Sequence, residues 1–113
     1  MANEEECRTA LDVIRTRVEK IHPDRFAEHV VERTIVCRIS DLGLTLRSTI
    51  HEGGLDPFEP TDDSRDAQVR LTVSSDDLVA LARDELHAGR AWATGRLKVE
   101  ASFRDLLRLR RLL

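Results

Sequence analysis

The tightest constraint in this chain lies in its C-terminal part, Ala67 to Leu113, where five elements succeed one another with no spare residues. Val69, Leu71 and Val73 alternate with Arg70 and Thr72, the period of two that marks a half-buried strand. Ser74-x-x-Asp77 then reads as a capping-box-like start for a helix carrying Leu78, Leu81, Ala82 and Leu86 on one side, closed by Gly89. After the Ala-rich segment Arg90 to Thr94, Gly95 supplies the backbone freedom to leave a helical turn. Leu97 and Val99 then point to one face of a second strand and Lys98 and Glu100 to the other. Ser102-x-x-Asp105 opens a last helix with Phe103, Leu106, Leu107 and Leu109 mostly on one side. One-sided elements joined this tightly must bury their apolar faces on each other, as a sheet with helices laid against it.

The rest of the chain supplies compatible parts. Cys7, Ala10, Leu11, Ile14, Val18 and Ile21 recur every three or four residues and predict a helix from Asn3 onward. Asn3 is its N-cap, with Glu6 at the third helical position. Pro23 ends that pattern, and a short helical turn is expected from Pro23 to His29, with Phe26 and Val30 reaching inward. Beyond Val31 the period becomes two. Ile35, Cys37 and Ile39 alternate with Thr34 and Arg38, although Val36 breaks the pattern, and Asp41 to Gly43 turns the chain. Leu44, Leu46, Ser48 and Ile50 then alternate with Thr45, Arg47, Thr49 and His51, completing a hairpin with one wet face. Gly53-Gly54 make a second turn, Leu55 to Phe58 predict a short third strand, and Thr61 to Asp66 a polar loop.

A chain of 113 residues is sized for one domain. We expect a single unit over 1–113, with 1–30 an N-terminal helical segment and 31–113 the sheet and C-terminal helices. Its 41% hydrophobic and 35% charged residues and net charge of −3 suit a water-borne globular chain. The opening Glu4-Glu5-Glu6 lacks the cationic and apolar regions of a signal peptide, so a cytoplasmic location is expected. Cys7 and Cys37 each fall on an apolar side and read as free core thiols.

The succession Val69-Arg70-Leu71-Thr72-Val73, Ser74-Ser75-Asp76-Asp77-Leu78, Ala91-Trp92-Ala93-Thr94-Gly95-Arg96-Leu97-Lys98-Val99-Glu100 and the Leu-rich tail resembles the C-terminal half of the sterol carrier protein 2 (SCP2) family. The resemblance covers Ala67 to Leu113 well and Val31 to Pro60 loosely. The first 30 residues match only as a helix and a second helical turn. Two departures, Ala101-Ser102 where a glycine is usual after the last strand and the glycine-free stretch Arg83 to Ala88, imply a smaller or differently shaped ligand tunnel.

The resemblance implies an α+β fold with a largely antiparallel sheet of about five strands and helices on one face. It also implies non-catalytic binding or transfer of an apolar lipid-type ligand, whether fatty acyl, phospholipid, isoprenoid or sterol, in an internal tunnel. The lining expected is Leu44, Leu46, Ile50, Leu71, Leu78, Leu81, Leu86, Trp92, Leu97, Phe103, Leu106 and Leu107. These residues would equally fill a core, and the periodicity does not choose between tunnel and packed interior. The competing reading is therefore an SCP2-like interaction or dimerisation module with a filled core, docking on a second copy or on an enzyme.

Little in the chain points to chemistry. His22, His29, His51 and His87 lie on different predicted elements without a helical metal-ligand spacing, so no metal or cofactor is expected. Neither a Gly-rich phosphate loop nor a nucleophile elbow is present, and the chain reads as no enzyme. Aromatic residues at 4% offer no stacking platform for nucleic acid. Arg104, Arg108, Arg110 and Arg111 make the last helix basic and amphipathic, able either to solvate its arginines while burying its leucines or to meet an anionic membrane transiently. A role as a lid over the apolar interior is expected of it, with Phe103, Leu106 and Leu107 closing on the sheet.

Overall fold

The computed structural model describes residues 1–20, 32–51, 54–62 and 67–112, the side chains of 18–20 and 108–112 excepted. The expected helical turn from Pro23 to His29, with Phe26 and Val30, lies outside the described residues, as does most of the polar loop. Helix α1 spans Glu4–Lys20 and strand β1 Arg33–Ile39. They are followed by β2 (Leu44–His51), β3 (Gly54–Leu55), β4 (Glu59–Pro60) and β5 (Val69–Val73). Helices α2 (Ser75–Ala82) and α3 (Ala88–Ala93), strand β6 (Lys98–Glu100) and helix α4 (Phe103–Leu112) complete the order.

The caps read from the sequence form as local chemistry requires. Asn3 Oδ1 accepts from the Glu6 amide at 2.8 Å while the Glu6 carboxylate accepts from the Asn3 amide at 3.2 Å, a reciprocal capping box. Ser74 Oγ caps α2 through the Asp77 amide, and Ser102 Oγ caps α4 through the Asp105 amide, each at 3.2 Å. The β1–β2 hairpin turns over residues 40–43, where Gly43 adopts φ +61°. A side chain there would meet no steric obstacle but would strain the backbone.

Among the described residues six strands form one sheet in the order β3-β2-β1-β5-β6, with β4 pairing to β2. Its pairings are antiparallel except at the centre, where β1 and β5 run parallel. The register aligns Leu46, Cys37, Leu71 and Val99 in one row across four strands. Helices α1 and α2 cover that face with Cys7, Ala10, Leu11, Leu78 and Ala82. The neighbouring row is Arg47, Val36, Arg70 and Glu100 on the opposite face. Val36 is thus the buried member of the polar face, which accounts for the break in β1 alternation.

Two local readings are corrected. In place of one strand from Leu55 to Phe58, two short strands flank an Asp56–Phe58 stretch that β2 holds, the Asp56 amide donating to the Thr49 carbonyl at 3.0 Å and Ser48 donating to the Asp56 carbonyl at 2.6 Å. Pro57 has no N–H for a ladder, and Pro60 is tolerated because β4 is an edge strand. The helix predicted to close at Gly89 stops at Ala82. Arg17 of α1 donates to the Leu81 and Ala82 carbonyls at 3.1 and 2.6 Å, and Asp84 turns the chain at φ +60°. Leu86 is therefore buried in a connection and Gly89 sits inside α3, whose N-cap is His87.

A candidate apolar ligand site

Seven of the twelve residues expected to line an apolar interior come together between the sheet and helices α1 and α2. Leu46, Ile50 and Leu78 belong to the buried cluster, and Leu44, Leu71, Leu81 and Leu97 pack against it partly buried. Burial is graded across this layer. Ile39, Leu46 and Cys7 have no exposed surface at its centre, whereas Leu71, Leu97, Val99 and Ala101 along the β5–β6 edge remain partly open. The apolar region is thus closed at its centre and partly open at its margins, which include the edge where α4 leaves β6.

Five expected residues depart from that grouping to different degrees. Leu86 is buried outside the cluster, and Trp92 is half-buried beside the fully buried Ala91. On α4, Leu106 is half-buried, but Phe103 is 76% and Leu107 43% exposed. Their expected closure over the sheet is not the arrangement in this structure. The inward-facing residue is Asp105, 6% exposed, whose carboxylate accepts from Arg33 Nε at 3.2 Å. An ion pair that draws Asp105 inward rotates Phe103 and Leu107, one turn apart, toward solvent.

The polar groups in and around this layer hold structure. Asp41, in the hairpin turn, accepts from the Ser75 amide at 2.8 Å and the Ser75 hydroxyl at 2.5 Å, and Ser75 Oγ in turn accepts from the Ala2 amide at 3.1 Å. Those Ser75 bonds hold the Asp41 carboxyl below its ordinary pKa. Ser75 has no exposed surface, and its hydroxyl is engaged by Asp41 and the Ala2 amide. Cys7 and Cys37 are free and buried, as expected. Burial raises the Cys7 thiol, with Asp41 adding to the effect, and pushes Cys37 up to about 12. His51 pairs with Asp56 at 2.8 Å and His87 Nδ1 accepts from the Gly89 amide at 3.1 Å, while His22 and His29 lie outside the described residues. Among the described residues no helix is long and apolar enough to cross a membrane.

Residues 13–113 match the model of the SCP-2 sterol transfer family. The chain belongs to this family. No curated protein matches it. Among solved structures, the SCP2 fold recurs in sterol carrier protein domain 2 of Helicoverpa armigera, 18% identical, with a TM-score of 0.64 over 98% of this chain and 89% of that one. Sterol carrier protein-2 of Aedes aegypti, solved in complex with palmitate, is 23% identical, with a TM-score of 0.57 over 95% of this chain and 91% of that one. A stereoselective inverting sec-alkylsulfatase from Pseudomonas sp. contains the same fold as a part, 21% identical with a TM-score of 0.58 over 80% of this chain. The chain spans 14% of that enzyme's length.

Proposed function

We propose that this SCP2 domain binds and transfers an apolar lipid-type ligand without catalysis, in the layer between sheet and helices. The observation carrying the reading is the graded interior. Leu71, Leu81, Leu97, Val99 and Ala101 are apolar, clustered and only partly buried, so an acyl chain laid along the β5–β6 edge would cover surface that the fold leaves open. Leu44, Leu46, Ile50 and Leu78 form the floor against which it would rest. Family membership and the palmitate complex of the Aedes aegypti relative support the same assignment. We place the activity in one domain over residues 1–113, in the cytoplasm. Ligand exchange with a bilayer needs a contact surface, and α4 is our assignment for it.

Titration with a graded series of saturated fatty acids tests this reading. Affinity should rise with chain length by up to about 0.8 kcal/mol, or about fourfold, per buried methylene until the site is full. Leu71→Arg should abolish the trend, because it places a charge on the proposed wall. A response that stays flat across the series would sink the reading. The closed centre, with Ile39 and Leu46 fully buried, favours the second one, an interaction module that docks on a second copy or an enzyme.

A further inference from the structure

The exposed ridge of α4 is the least expected feature of the molecule. Among the described residues four large hydrophobic side chains are exposed, Met1, Val13, Phe103 and Leu107, and two of them share one face of α4 one turn apart. The same helix carries four arginines against the single Asp105, a net +3 in a chain whose total is −3, so the remainder carries −6. Asp105 is withdrawn from the outer face by its bond to Arg33. The outer side of α4 therefore combines the apolar Phe103 and Leu107 with the exposed Arg104, on a helix whose sequence is basic throughout its second half.

We infer that Arg33 and Asp105 form a clasp that turns α4 outward, presenting Phe103 and Leu107 to an anionic lipid bilayer. The inference deepens the lipid-transfer reading and rests on it for its purpose. Exposed apolar side chains on a helix of net +3 suit insertion at the headgroup boundary, where the positive charge meets anionic phosphates while the apolar side chains go below them. A second copy is the poorer occupant. Pairing two copies through α4 would bring together two helices of net +3 each.

The test is sedimentation of the whole protein with vesicles of phosphatidylcholine alone and of phosphatidylcholine mixed with phosphatidylglycerol. The protein should sediment with the mixed vesicles only, and added salt should release it. Phe103→Ser with Leu107→Ser should lower that partitioning roughly tenfold or more. Both positions are exposed, so circular dichroism should be unchanged. Arg104→Glu with Arg108→Glu should also weaken binding without touching the apolar ridge. Equal binding to neutral vesicles, no binding to mixed vesicles, or undiminished binding by the serine variant would each overturn the proposal. So would a dimer that the serine variant converts to monomer. If the parent docks as described yet binds no fatty acid in vesicle-free solution, the lipid-binding reading falls and the docking surface stands.

Discussion

Asp105→Asn should loosen α4 while leaving the sheet intact. Asparagine keeps the shape of the side chain but removes the charge that Arg33 Nε meets at 3.2 Å. A hydrogen bond between charged groups contributes about 1.5–3 kcal/mol. The Asp105 side chain is 8% exposed but that of Arg33 is 31% exposed, so solvent screening brings the loss toward about 1–2 kcal/mol. The ten-residue α4 is too short to persist as a helix alone, so the loss should appear as local detachment. Hydrogen exchange read by mass spectrometry should show α4 amides opening about 5 to 30 times more often, with β1 and β2 amides unchanged. Arg33→Met should do the same, and the double variant should be no worse than the worse single one. Unchanged α4 exchange in Asp105→Asn, or strictly additive effects of the two substitutions, would refute the clasp.

The Asp41 carboxyl, held below its ordinary pKa by Ser75, contributes stability that is fully present above the unfolded-state pKa of about 4 and is lost as pH falls through the lowered folded value. Asp41→Asn should therefore reduce the urea midpoint near neutrality and flatten its decline in acid, and parallel acid limbs for parent and variant would contradict this. Cys37, pushed up to about 12, should stay unmodified by iodoacetamide at about pH 8 in the native protein and react once urea unfolds it. Its contribution to stability is present below the ordinary thiol pKa and lost as pH rises toward the folded value; mass spectrometry showing rapid native labelling would count against the buried thiol.

Much of the local structure was legible because short-range chemistry decides it. Asn3, Ser74 and Ser102 cap the helices their spacing announced, since a side-chain oxygen three residues ahead of an unpaired amide satisfies it wherever the helix lies. Alternation in β1, β2 and β5 likewise announced which side chains share a face. The candidate site was legible to the same extent. Leu44, Leu46, Ile50, Leu71, Leu78 and Leu81 meet because each belongs to the apolar side of its own element, and Leu97 joins them from the residue before β6.

The tertiary structure decided what periodicity leaves open. Nothing local makes β5 run parallel to β1, and the end of α2 at Ala82 joins a local turn at Asp84 to Arg17, which reaches the Leu81 and Ala82 carbonyls from a distant helix. The orientation of α4 was decided in the same way. Its sequence offers a Leu-rich inner face, but burying Asp105 against Arg33, 72 residues earlier, couples the rotation of the helix to a charge pair. A pattern of apolar residues says that a helix has two sides. Which one turns inward depends on the partner that the fold brings to it.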